Sequence, residues 1–288
     1  MTSYKLSDAQ VEQYHRDGFL LVPVTEHRLV DAEDLRAWTD EVHSWPREVG
    51  KWMPYDEINV RGERQLMRTE CFVDYHAQFD ALLRGDALRG ILAQLNHQTP
   101  MLLFKDKINY KSSNGNGFQA HLDAPAYDHI GKIEHITANI CVNEATRENG
   151  FLEVVAGSHR MQVQLIDGGR IHPDWQDAQT WTELPMQSGD ILFFGSHLAH
   201  RSGPNTSPTP RSMIYATYHS TADGLDLRSR YYADRRVHFP PDHERRPDQD
   251  YSEGWKRYGF AAPFKRGEDP TQATYPLNKT VLPKAAKA

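Results

Sequence analysis

Near residue 100 the apolar residues stop recurring at helical steps and begin to alternate. Upstream, Leu82, Leu83, Leu88, Ile91, Leu92 and Leu95 recur at three- and four-residue intervals, and 79–95 reads as helix. Downstream, residues 101–110, 118–123, 135–142, 151–155, 190–194 and 211–219 read as strands, separated by clusters of Gly, Asn, Pro and Ser. Many short strands with frequent turns must close into a sandwich or barrel to bury their apolar faces. The expected class is therefore mainly β with helical decoration.

The N-terminal part is read as helices with a strand insert. Ser7 is the expected N-cap of a helix to about Arg16, Gly18 its stop, and Phe19–Val22 a strand; 30–42 again has helical spacing, and 64–73 looks extended. Past residue 221 the chain is rich in Arg, Asp and Pro with little apolar periodicity, so loops, short helices and a frayed tail from about Lys279 are expected. A strand-rich core of this kind can occupy all 288 residues as one domain. The expected division is about 1–98 helical, about 99–222 core and about 223–288 irregular.

Charge and cysteine content exclude several classes. With 33 Lys and Arg against 39 Asp and Glu, the net charge is -6, and no basic footprint for nucleic acid is present. The polar opening MTSYKLSDAQ does not read as a signal peptide, and nowhere do about 18 apolar residues run together, so a soluble cytoplasmic protein is expected. Cys71 and Cys141 lie far apart in apparent strands and read as reduced core thiols.

Fifteen histidines direct attention to metal binding. At this composition about two His-x-acidic pairs are expected by chance, and three occur: His15 with Asp17, His121 with Asp123, and His172 with Asp174. The first pair ends a helix, where i and i+2 diverge, and the third lies in an apparent loop. His121 and Asp123 end a strand, whose alternate side chains share a face, so an imidazole and a carboxylate can meet one cation. A facial triad needs a second histidine from a distant strand, and its preferred metal is Fe(II). Among His129, His135, His159, His172, His197, His200 and His219, His200 is distinguished by context. It follows the apolar strand of Gly189-Asp190-Ile191-Leu192-Phe193-Phe194 and opens the apparent turn His200-Arg201-Ser202-Gly203-Pro204-Asn205, with Arg211 eleven residues on.

This pattern resembles the phytanoyl-CoA dioxygenase family of Fe(II)/2-oxoglutarate-dependent oxygenases. The likeness is dense over residues 104–219. It is carried by Lys107-Ile108-Asn109-Tyr110-Lys111, His121-Leu122-Asp123-Ala124-Pro125-Ala126-Tyr127, Asn149-Gly150-Phe151-Leu152-Glu153-Val154, Gly157-Ser158-His159-Arg160, and Gly189-Asp190 through Arg211. Asp17-Gly18-Phe19 matches a segment usual near the family's N-terminus, and Tyr231-Tyr232-Ala233-Asp234 is a weaker echo. One departure is Lys111-Ser112-Ser113-Asn114-Gly115, where members often continue Lys-x-Pro-Gly-Gly.

The resemblance implies a double-stranded β-helix, or jelly roll, with N-terminal helices packed on it. It implies His121, Asp123 and His200 as iron ligands, Arg211 for the distal carboxylate of 2-oxoglutarate, Ser202 donating to that carboxylate, and Asn109 contacting the cosubstrate. The implied reaction consumes O2, converts 2-oxoglutarate to succinate and CO2, and hydroxylates a substrate C–H. Asp123 favours hydroxylation over halogenation, because related halogenases have a small residue there. The motifs are most similar to members acting on small charged molecules, including those of 2-aminoethylphosphonate type. Lys107, Tyr127, His129, Lys132, Arg160 and Arg201 are the expected contacts to an anionic head group. Two other readings are a tailoring oxygenase of natural-product biosynthesis with a bulkier substrate, and a non-catalytic jelly-roll metal- or ligand-binding protein. His159 is expected in a structural hydrogen bond, Cys141 in the core, and Asn149-Gly150 at a tight turn.

Overall fold

The alternating segments pair antiparallel throughout. A computed structural model describes residues 4–131 and 133–264. Its strands are β1 (Phe19–Val22), β2 (Met53–Ile58), β3 (Arg64–Glu70), β4 (Met101–Lys111), β5 (Phe118–His121), β6 (Ile136–Cys141), β7 (Leu152–Val154), β8 (Leu165–Ile166), β9 (Arg170–Ile171), β10 (Thr182–Leu184), β11 (Ile191–Gly195), β12 (His200–Ser202) and β13 (Arg211–Ser220). The helices are α1 (Asp8–Asp17), α2 (Val24–His27), α3 (Ala32–Ser44), α4 (Ala77–Leu83), α5 (Asp86–Leu95), α6 (Pro173–Asp177), α7 (Leu227–His238) and α8 (Ser252–Tyr258).

The strands form a seven-stranded sheet, β1-β11-β6-β13-β4-β3-β2, and a six-stranded sheet, β10-β7-β12-β5-β9-β8. This is the jelly-roll arrangement, with the N-terminal β1, β2 and β3 extending the larger sheet. Alternation sorts each strand's side chains. On β4, β6, β11 and β13, Ile108, Ala138, Ile140, Phe193, Ile214 and Ala216 join Leu35, Phe79, Leu83, Leu88, Ile91, Leu92 and Leu95 of α3, α4 and α5 in one buried cluster. The opposite faces of β4 and β13 carry Lys105, Lys107, Asn109, Lys111, Arg211 and Tyr215, also buried. One face of the large sheet is thus an ordinary apolar core, and the other is polar.

Local signals explain the helix boundaries. Ser7 accepts from the Gln10 backbone N–H at 3.2 Å, and Gln10 Oε1 accepts from the Ser7 backbone N–H at 2.9 Å. This capping box starts α1, and Gly18 ends it in the left-handed region at φ 83°. Helical spacing over 79–95 resolves into two helices, since Arg84 and Gly85 break the run and Gly85 caps α5.

Three expectations are corrected. The region after 221 contains the 12-residue helix α7. Its buried stripe of Leu227, Tyr231, Tyr232 and Arg235 includes an arginine, so apolar periodicity misses it. The apparent turn at His200 is a strand, β12, paired with both β5 and β7. The tail from Lys279 lies outside the described residues. Both cysteines are free and buried, but Cys71 sits just past β3 at φ 57° instead of within a strand. Among the described residues, no helix is long and apolar enough to cross a membrane.

Two outcomes follow. A Cβ at position 18 would require an unfavourable left-handed backbone and collide with the His159 ring. Gly18→Ala should cost at least about 1–2 kcal/mol, lowering Tm by several degrees in a calorimetric scan. His135 is buried, and burial foremost pushes its imidazole down to about 3. The unfolded chain takes up a proton there below about pH 6.5, so this contribution is full above that value and is lost as pH falls toward 3. His135→Phe should flatten the fall of stability between pH 7 and 5, by about 2 kcal/mol at pH 5; an unchanged slope in chemical denaturation would refute it.

Candidate active site

His121 and His200 face each other across the β5–β12 ladder, with ring centroids 4.1 Å apart. Asp123 follows β5 and is fixed by its backbone: the N–H groups of Asp123 and Ala124 both donate to the Ser196 carbonyl at 3.0 Å. Its carboxylate lies 3.7 Å from His121 Nε2 and 4.0 Å from His200 Nε2. Among the described residues, these three form the one group of potential metal-ligating side chains whose ligand atoms all lie within 4.8 Å of one another. All three are buried.

Each imidazole is oriented by a carbonyl two residues upstream. His121 Nδ1 lies 2.6 Å from the Gln119 oxygen, and His200 Nδ1 lies 2.9 Å from the Leu198 oxygen. A carbonyl only accepts, so Nδ1 carries the proton and the Nε2 lone pair faces Asp123. Burial, followed by His121, pushes the His200 imidazole down to about 3 and keeps it neutral. Burial opposes charge on Asp123, but Lys107 foremost, with the two neighbouring imidazoles, outweighs it and holds the carboxyl well below its usual range. Two imidazole nitrogens and one carboxylate aimed at a common point fit a divalent iron ion.

A second centre lies at the end of β4 and the start of β13. Arg211 and Lys111 are register partners on these strands and both are buried. Arg211 donates to the carbonyls of Asn149 (3.4 Å) and Gly150. Lys111 Nζ donates to Ser202 Oγ at 2.9 Å, to Gly150 O at 3.1 Å and to Gly203 O at 2.5 Å. Gly150 has φ 75°, and a Cβ there would strike the Gly203 carbonyl and Lys111 Nζ, so the Asn149-Gly150 turn brings its oxygen within reach only as glycine. Burial, followed by Arg211, drives the Lys111 ammonium well below its usual pKa. Among the described residues these two buried basic groups donate to neutral oxygens alone, which fits one end of a dicarboxylate whose charge would favour their protonated forms. Lys111 received no role from the sequence; its signal was the period of two in Lys105, Lys107, Asn109 and Lys111.

The remaining expected residues divide. Asn109 lies on the inner face, its Oδ1 accepting from Arg68 Nε at 2.8 Å. Lys107 lies there too, 4.7 Å from the Tyr215 ring centroid, and burial foremost, then Arg68, lowers it to about 8. Tyr127 packs on Phe104 and lies 5.6 Å from Lys105 Nζ. His129 is engaged with the C-terminal helices: its Nε2 is 2.8 Å from Tyr258 Oη and 3.3 Å from Asp234. Arg201 is not brought to the site. It alternates outward between His200 and Ser202, pairs with Glu153 at 2.8 Å and lies over Trp181 at 4.1 Å. Arg160 is drawn to α1, donating to the Arg16 carbonyl at 2.6 Å. His159 takes the structural bond expected of it, its Nε2 lying 3.3 Å from the His15 carbonyl oxygen. Lys132 lies outside the described residues.

Comparison with known proteins defines the family. Residues 14–213 match the model for phytanoyl-CoA dioxygenase (PhyH). The chain belongs to that family. It is 38% identical over 235 residues to "Methylphosphonate hydroxylase" of Gimesia maris, covering 81% of this chain and 88% of the relative. It is 35% identical over 236 residues to "2-aminoethylphosphonate dioxygenase" of uncultured bacterium HF130_AEPn_1, covering 81% and 89%. The crystal structure of EctD from S. alaskensis with 2-oxoglutarate and 5-hydroxyectoine superposes with a TM-score of 0.66 at 16% identity, covering 93% of this chain and 87% of that one. The protein is a non-haem Fe(II)/2-oxoglutarate-dependent dioxygenase that uses O2, with a cupin-like jelly-roll core.

The geometry of the second centre gives a test. Arg211→Lys and Lys111→Met should each weaken 2-oxoglutarate binding about 10–100-fold, the effect of losing a hydrogen bond to a charged group. Calorimetric titration of 2-oxoglutarate reads this directly, and unchanged affinity in both variants would sink the assignment.

Proposed function

We propose that His121, Asp123 and His200 hold the iron, that Arg211, Lys111 and Ser202 bind the distal carboxylate of 2-oxoglutarate, and that the enzyme hydroxylates a small organophosphonate. The observation that carries the substrate reading is the pair of phosphonate-named relatives, each matched over about four-fifths of this chain. The polar inner face of β4 supports it, since an apolar substrate would not repay the burial of its lysines. We also take residues 1–288 as one oxygenase domain, supported by the packing of α3, α4 and α5 on the large sheet. The two free, buried cysteines suit a cytoplasmic location.

When bound together, iron, 2-oxoglutarate and O2 supply the oxidising power that replaces a substrate C–H by C–OH, with 2-oxoglutarate leaving as succinate and CO2. The chain's own contribution is orientation. The Gln119 and Leu198 carbonyls fix the two imidazoles so that neither must reorganise on binding. Arg211 offers a planar fork to a planar carboxylate, and Lys111 adds charge from the other strand. Ser202 Oγ accepts from Lys111, which leaves its own proton free to donate to the cosubstrate. Phe194 and Phe260 pack near the His200 and His121 rings, with centroids 5.2 and 6.3 Å away, and keep bulk water from their edges.

The enzyme supplied with iron, 2-oxoglutarate and O2 should release succinate in step with loss of methylphosphonate or 2-aminoethylphosphonate. His200→Gln should lose iron, measured by metal analysis after gel filtration, and should lose product. Succinate formation coupled to a bulky ring substrate and to no phosphonate would reject the substrate reading in favour of a tailoring oxygenase.

A further inference from the structure

Lys105 and Lys107 continue the inner face of β4 beyond the cosubstrate end, and both are buried. Adjacent β3 contributes Arg68 and Glu70, and α7 contributes Arg235. Arg235 grips Glu70 with Nε at 2.6 Å and Nη2 at 2.7 Å, Arg68 Nη1 adds a bond at 3.1 Å, and Lys105 Nζ stands 3.8 Å away. Lys107 has no carboxylate within ion-pair distance among the described residues. Four buried basic side chains thus share Glu70 and Asp123, and Asp123 is assigned to the metal; burial foremost pushes Lys105 well below its usual pKa, against the pull of Glu70. A buried surplus of positive charge is unfavourable without a counter-anion.

The surroundings are aromatic. The Tyr127 and Tyr231 rings lie 5.6 and 5.3 Å from Lys105 Nζ, Tyr215 lies 4.7 Å from Lys107 Nζ, and Phe118 lies 5.7 Å from the Arg68 guanidinium. Among the described residues, the Tyr231 hydroxyl is buried without a hydrogen-bond partner. Lys105 is six residues from Lys111 along β4, roughly 20 Å at about 3.3 Å per residue. A five-carbon diacid anchored at Arg211 does not span that distance, so the surplus at Lys105 calls for a different anion.

We propose that Arg68, Lys105 and Lys107 form the cradle for the phosphonate group of the substrate, with the Tyr231 hydroxyl as a further donor. Glu70 and Arg235 are positioning residues: their ion pair holds Arg68 and keeps Lys105 from closing on the cradle itself. This assignment rests on the phosphonate reading and adds the side chains that recognise the head group. Selection is by charge. A phosphonate dianion offers two charges and three oxygens to three cations, whereas a sulfonate of the same tetrahedral shape offers one charge.

The test is anaerobic calorimetric titration of the iron-loaded enzyme with 2-oxoglutarate present, using methylphosphonate and methanesulfonate as probes. Methylphosphonate should bind at least about tenfold more tightly than methanesulfonate. Lys105→Gln and Arg68→Gln should each weaken methylphosphonate about 10–100-fold, and Lys105→Arg should recover most of the loss. Retained 2-oxoglutarate binding in the same samples shows that each variant is folded, and Lys105→Gln with its Lys105→Arg rescue keeps the test valid if Arg68→Gln is not. Wild-type turnover of phosphonates with unchanged methylphosphonate affinity in Lys105→Gln would overturn the cradle and leave the substrate reading standing. Equal affinity for the sulfonate would overturn selection by charge. Turnover of another substrate, with neither binding nor oxidation of any phosphonate, would overturn both.

Discussion

A barrel that turns lysines and arginines inward must supply a counter-charge, and in this protein Glu70 is the carboxylate around which they assemble. It is fully buried; burial favours its neutral form, yet Arg235, Lys105 and Arg68 together bring its carboxyl down to about 2. Removing either partner of such a pair leaves an uncompensated buried charge, at a cost of about 3–5 kcal/mol. The pair also joins separate parts of the chain, since Glu70 ends β3 and Arg235 lies on α7. Through Arg68 it reaches Asn109 on the inner face of β4. The polar interior is therefore a connected network whose geometry is set before any ligand arrives.

Strand alternation converts this network into a site. Outward residues of β4, β6, β11 and β13 pack beneath the helices, so the sheet is held from behind by an ordinary apolar core. Inward residues are then free to be polar, because stability does not depend on them alone. Positioning falls to the backbone. Carbonyls orient both histidines, the Ser196 carbonyl fixes the Asp123 segment, and the Gly150 carbonyl receives Lys111 and Arg211.

Much of this was legible in the sequence. The change of period near residue 100 indicated a β-rich barrel, and His121, Asp123, His200 and Arg211 stood out through spacing and family pattern. Several less visible features share one cause: reading rules treat charge as surface. Lys105 and Lys111 alternate as a buried strand should but are not apolar, and the buried stripe of α7 contains Arg235. Short elements gave no signal either, because β8, β9, β10 and β12 have two or three residues each, too few for any period to register. Misreading β12 as a turn hid the outward direction of Arg201, which two strand partners impose.

The brevity of β12 has a metric consequence. His200 and Ser202 share its inner face with one outward residue between them, so their separation is fixed near two strand steps, about 6.6 Å. Under the roles proposed here, one belongs to the metal and the other to the far carboxylate of the cosubstrate. The strand then acts as a gauge of chain length. Oxaloacetate, one carbon shorter than 2-oxoglutarate, and 2-oxoadipate, one carbon longer, would each mismatch a distance that the backbone cannot adjust, because pairing with β5 and β7 holds the strand from both sides.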